Sequence, residues 1–154
     1  VLTWPLTREF SEAELYKQRL DEAVANNPGF ARPILSMMRH TALYTDQAGR
    51  DSAISAIRGL LGQFENLFRN TGDVENGFPK KVSLKDVSGR EQYNPTMLET
   101  NLMFGSPETV ISKLKDYEAI GVDEFIYYAS MGLGHSEQKS SLDLFCNEVM
   151  PAFL

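Results

Sequence analysis

The chain has 154 residues, 42% of them hydrophobic, with 21 Asp and Glu against 15 Lys and Arg and a formal net charge of -6. This length suffices for one core burying roughly 68–70% of the unfolded surface, and the acidic balance offers no long-range attraction to phosphate backbones, so nucleic acid is not an expected partner. There is no apolar run of about 18 residues and no basic leader with a cleavage site, so neither a membrane span nor a secretory signal is expected; the single cysteine, Cys146, fits a reducing cytoplasm.

In chain order, residues 1–6 form a short apolar run cut by Pro5 and read as a strand. Ser11 and Glu14 have capping-box spacing, which opens a helix carrying Leu15, Tyr16, Leu20, Ala23 and Val24 on one side until Pro28 and Gly29 end it. Residues 33–44 are apolar without strict alternation, the pattern of a strand covered on both faces. Within it Arg39 and His40 are adjacent, so the pleat sends them to opposite faces. His40 is either a general acid or base or a packed, hydrogen-bonded side chain; its mid-strand position favours packing, because in parallel α/β sheets ligands bind at strand carboxyl ends. Tyr44 and Thr45 stand at that end and are expected to line a pocket. Asp46 can cap a long helix to Arg69, with Ile54, Ile57, Leu61, Phe64 and Phe68 at helical spacing; that stripe outweighs Gly49, Gly59 and Gly62, each costing roughly 1 kcal/mol against alanine.

Residues 70–104 lose periodicity at Gly72, Gly77, Pro79, Gly89 and Pro95, and only residues 96–102 hint at a short helix. Lys80, Lys81 and Lys85 read as solvated charges. Ser106 then caps a helix with Pro107 at its first position, Glu108 at the positive end of its dipole, and Val110, Ile111, Leu114 and Tyr117 on one face; Gly121 closes it in a left-handed turn. Residues 122–130, with Phe125, Ile126, Tyr127 and Tyr128, read as a buried strand. A glycine-bearing loop follows, then a helix opened by Ser136 that aligns Leu142, Phe145, Cys146, Val149 and Met150 and stops at Pro151. Helix, strand, loop, helix is the repeat of a parallel α/β fold.

Three pieces, residues 104–114 around Gly105-Ser-Pro-Glu, residues 121–125, and residues 141–153, together resemble the carboxyl end of the bacterial-luciferase-like, flavin-dependent monooxygenases. The resemblance implies a partial (β/α)8 barrel, a TIM barrel of which this chain supplies roughly the last three β/α units, strands 6 to 8. A complete barrel takes about 250 residues. It implies that residues 1–154 are one carboxyl-terminal barrel portion and that residues 70–104 are a long loop within it. That loop is either a lid shielding a reactive intermediate or a surface insertion, and it is shorter than in the luciferase subunits.

The implied activity is that of a two-component monooxygenase, in which a separate flavin reductase supplies reduced FMN and O2 is used to oxygenate a small organic substrate. Thr3 and Trp4 match the family's small-polar-then-tryptophan pair near the flavin, although Trp4 could equally fill a barrel mouth. Ser130 and Met131, opening the loop after the last strand, are expected to line the pocket; the family holds flavin phosphate on its fourth and fifth units, so this loop is not expected to be a phosphate clamp. Such a chain alone should be nearly inactive and should be a dimer, a higher homo-oligomer, or paired with the rest of the barrel. The other reading is a non-catalytic flavin-binding or structural half-barrel that self-associates, and a deazaflavin in place of FMN stays open. No catalytic side chain stands out and no metal site is expected: His40 and His135 are far apart, and Cys146 falls on the predicted apolar helix face.

Overall fold

The computed structural model describes residues 1–69, 73–80, 82–83, 85 and 89–154, the side chains of 66–69 and 79 excepted. Asn70, Gly72, Lys81 and the Phe68 side chain therefore lie outside the described residues.

The elements are β1 (Leu2–Thr3), α1 (Phe10–Ala25), β2 (Ser36–Leu43), α2 (Gln47–Arg69), a small antiparallel pair β3 (Val74–Glu75) and β4 (Phe78–Pro79), a 3₁₀ turn (Glu91–Tyr93), α3 (Pro95–Asn101), β5 (Met103–Gly105), α4 (Pro107–Ala119), β6 (Glu124–Tyr128) and α5 (His135–Leu144). The last helix continues through a π-helical turn (Phe145–Val149) into a 3₁₀ turn (Met150–Phe153). β2 is the hub, with three parallel partners: Leu2 pairs with Ser36, Met103 to Gly105 pair with Thr41 to Leu43, and Glu124 to Tyr128 pair with Ser36 to His40. Ser36 meets both Leu2 and Glu124, so β1 and β6 flank opposite edges of β2. The result is an α/β architecture around an open parallel sheet, and residues 124–128 are a strand parallel to β2 as their apolar run predicts.

Pleating divides the core in two. Met37 and Leu43 join Ala13, Met103, Val110, Leu114, Tyr117 and Val149 under α1, α4 and the last helix, whereas Ala42 joins Ala53, Ile54, Ile57, Leu98, Phe104 and Met131 under α2 and α3. Successive residues Met103 and Phe104 enter different clusters for the same reason. Each large side chain so buried contributes about 1.5–3 kcal/mol.

The local caps form as their chemistry dictates. Asp46 Oδ1 accepts the Gly49 N–H at 2.8 Å, Ser106 Oγ accepts the Thr109 N–H at 3.4 Å, and Gly121 takes φ 86 after α4. Three expectations are corrected. The capping box at Ser11 and Glu14 does not form: α1 starts at Phe10 behind Glu9 with no side-chain cap, because Phe10 is drawn in by edge-to-face packing on Tyr117 at 5.1 Å. Within residues 70–104, Met103–Gly105 is a buried strand, too short to show a period. In the last helix Phe145 and Val149 of the expected stripe face the sheet, Phe145 packing on Tyr127 at 5.0 Å, but Leu142, Cys146 and Met150 are exposed and Ser141 is buried in their place, because the π-helical turn keeps residues four apart on one face.

Candidate functional site

A cavity of ≈ 640 Å³ opens on the α2 and α3 side of the sheet, walled by the loop after β1, the second half of α2, the 3₁₀ turn and α3. Trp4 follows the last residue of β1, at a strand carboxyl end, and His40 projects from β2 opposite Tyr128 of β6. Because β1, β2 and β6 are neighbours, these rings form one aromatic wall: Trp4 packs edge-on against His40 at 5.6 Å and Tyr128 at 5.4 Å, and His40 stacks on Tyr128 at 4.5 Å. His40 is 2% exposed, and neither its Nδ1 nor the Trp4 Nε1 has a hydrogen-bond partner among the described residues. Burial, helped by the neighbouring Arg39 charge, lowers the His40 pKa to about 4. At neutral pH the imidazole is therefore uncharged, with one ring nitrogen a donor and the other an acceptor.

Leu6, Leu60, Leu61, Phe64 and Met97 make the rest of the lining largely apolar. Its charges are the carboxylates of Glu9, Glu12, Glu65 and Glu91 against one guanidinium, Arg8. Glu65 receives Arg90 at 2.6 Å and Gln92 at 2.8 Å, which ties α2 to the 3₁₀ turn and fixes that wall. A flat, mostly apolar ring system fits such a cavity. A phosphate does not, because, with Glu65 already paired to Arg90, it would still meet Glu9, Glu12 and Glu91 against the single guanidinium of Arg8.

A second cavity of ≈ 250 Å³ lies beyond the end of β2, lined by Tyr44, Thr45, Leu133, Glu137 and Ser140 among others. The Tyr44 hydroxyl donates to Glu99 Oε1 at 2.5 Å, and Arg50 holds the same carboxylate with both Nε and Nη2. Burial and the hydrogen bond to Glu99 raise the Tyr44 pKa, so this phenol stays protonated, with its proton committed to Glu99.

Of the residues singled out from sequence, Trp4 lines the larger cavity, Tyr44 and Thr45 the smaller, and Ser130 and Met131 neither. Met131 is 1% exposed in the cluster under α2. Thr3 does not line the cavity; its hydroxyl donates to Ser36 O at 3.3 Å. His40 is buried among rings but lacks the expected hydrogen bond at Nδ1, and it lines the same cavity as Trp4. Glu65, Met97 and Asn101 were not singled out; their place in the lining comes from α2 and α3 folding over the sheet, for which no local pattern exists. Among the described residues there is no group of three or more metal-ligating side chains, and no helix is long and apolar enough to cross a membrane.

The chain is similar to the oxygenase component of the flavin-dependent trigonelline monooxygenase of Acinetobacter baylyi, 28% identical over 149 residues that cover 97% of this chain and 41% of that protein. The chain thus spans about two-fifths of the length of this relative. No protein-family model matches the chain, and no solved structure matches it.

Proposed function

We propose that this chain is the carboxyl-terminal part of the oxygenase component of a two-component flavin-dependent monooxygenase of the bacterial-luciferase-like kind, with β1, β2 and β6 as strands 6 to 8 of a (β/α)8 barrel and β5 an addition to that sheet. The observation that carries this reading is the similarity to the A. baylyi oxygenase component along 97% of the chain. An open parallel sheet with an aromatic-walled cavity reached by the carboxyl end of β1 supports it.

When bound, reduced FMN supplied by a separate reductase activates O2, so that one oxygen atom enters a small organic substrate and the other leaves as water. The contributions of this chain are orientation and exclusion of water. Trp4, Leu6, Leu60 and Phe64 give the cavity its apolar lining, and His40, held neutral, can donate from one ring nitrogen and accept at the other. With three carboxylates in the lining beside the paired Glu65, against one guanidinium, the cavity is assigned to the flavin ring edge or the substrate, and the phosphate to residues outside this chain. Glu91, Gln92, Met97 and Asn101, from the stretch that the resemblance makes either a lid or a surface insertion, form one side of the cavity lining, which favours the lid. The relative is named for trigonelline; for this chain the class is a small organic molecule, and the setting is the cytoplasm.

Trp4 is the single tryptophan, so titration with FMN should quench its emission together with flavin fluorescence, and Trp4→Phe should remove the protein signal. The chain alone should turn over little or nothing, because the phosphate site lies elsewhere; the longest natural polypeptide containing it, given FMN, NADH and a flavin reductase, should incorporate an atom of labelled O2 into product. Absence of both flavin quenching and label would overturn the reading. The exposed Leu2, Ile34 and Ile126 favour a second reading, a structural half-barrel that self-associates. A chain that leaves FMN fluorescence unchanged and runs as a dimer would select it.

A further inference from the structure

We propose that Arg39 is a positioning residue for the cavity, holding from the far side of the sheet the loop that forms one cavity wall. Arg39 and His40 are neighbours on β2, so while His40 faces the cavity, Arg39 faces the helices and is 0% exposed. Its partners are one phenol and three backbone carbonyls: Nε–H donates to Tyr117 Oη at 2.8 Å, Nη1 to Leu6 O at 3.2 Å and Arg8 O at 2.9 Å, and Nη2 to Glu9 O at 3.4 Å. Asn101 of α3 donates to Thr7 O at 3.1 Å. Four successive carbonyls, residues 6–9, are thereby held by side chains from β2 and α3, and Leu6, Thr7, Arg8 and Glu9 all line the cavity.

The loop needs such fastening. Leu6 has φ 54, a left-handed conformation that costs a non-glycine residue and persists only where surrounding contacts over-determine it. A buried guanidinium is itself costly, and its planar fork reaches several acceptors at once, which an ammonium point charge cannot. Removing the fork should therefore release the segment next to Trp4 before it unfolds the sheet. The consequence for turnover rests on the functional reading above; the loop geometry does not.

Trp4 reports the loop directly. Arg39→Met, which keeps the stem and removes the fork, should retain far-ultraviolet circular dichroism yet show red-shifted Trp4 emission and a severalfold rise in its quenching by acrylamide. Arg39→Lys, charge without fork, should fall between the two. Ser141→Ala, which removes hydrogen bonds to Leu43 and Tyr127 on the helix-covered face of the sheet and none to residues 6–9, serves as control and should leave Trp4 quenching as in the wild type. A folded Arg39→Met protein that quenches like wild type overturns the proposal. If that variant does not fold, Arg39→Lys decides: increased quenching supports the role and wild-type quenching overturns it. No flavin enters these measurements, so unchanged Trp4 behaviour and failure of the wild-type chain to bind FMN are separate results.

Discussion

His40 carries the clearest pH consequence in the molecule. Its folded-state pKa of about 4 lies below the ordinary 6.5, chiefly through burial and secondarily through the Arg39 charge. Between those values the unfolded chain holds a proton that the folded chain refuses, so this contribution is present above pH 6.5 and is lost as pH falls toward 4. The interval corresponds to about 3 kcal/mol at most. Urea unfolding between pH 7 and 4.5 should show that loss, and His40→Phe, which keeps the stack on Tyr128, should flatten this part of the profile; an unchanged slope would mean the imidazole is protonated in the folded state. The pleat alone separates Arg39 from His40. Which of them faces a cavity was not legible, because that depends on α2 and α3 covering one sheet face, a tertiary choice written in no local pattern.

At the scale of elements, what could be read was whatever a few consecutive residues decide. Asp46, Ser106 and Gly121 act on backbone within three residues, and each does what its chemistry predicts. Ser11 and Glu14 have equally good spacing and fail, because contacts made by Phe10 and Glu9 with residues far along the chain begin α1 earlier. The final helix is misread for a related reason. Ser141 sits where an apolar residue is expected, since its Oγ accepts the Leu43 N–H at 2.7 Å and shares a 2.6 Å hydrogen bond with Tyr127. Ser141→Ala should thus destabilise the chain by about 1–3 kcal/mol by leaving the strand-end N–H buried and unpaired, checked by urea unfolding. Lys113 fastens α3 and β5 to α4 in the same manner, with Nζ donating to the carbonyls of Glu99, Leu102 and Phe104. Lys113→Met should cost a similar amount, roughly 1–3 kcal/mol. Burial lowers its pKa to about 8, below the ordinary 10.5, so its proton is released first in the folded state and stability should rise with pH between those values, a rise that the variant abolishes.

At the scale of the whole molecule, parallel strands with helical connections were legible from the order of apolar runs, whereas the extent of the sheet was not, because the three-residue strand Met103–Gly105 is too short to show a period. Parallel sheets are ordinarily covered on both faces. Here the cover is uneven: α2 and α3 shield the carboxyl half of one face, while toward the amino ends Met38 is half-buried, its register partner Ile126 is 36% exposed and Leu2 is 61% exposed. These residues continue the face that carries His40 and Trp4, the one a closed barrel would turn inward. β1 offers only two residues of ladder, so backbone groups along that edge of β2 and the outer edge of β6 have few partners within the sheet. Apolar side chains beside a free strand edge favour association of like chains. In sedimentation velocity the 154-residue chain should therefore show a mass that grows with concentration. Leu2→Lys with Ile126→Lys should shift it toward monomer without changing the circular dichroism, because both side chains already reach water. Association untouched by the pair would move the contact elsewhere, and a strictly monomeric wild-type chain would show that the half-covered sheet is sufficient alone.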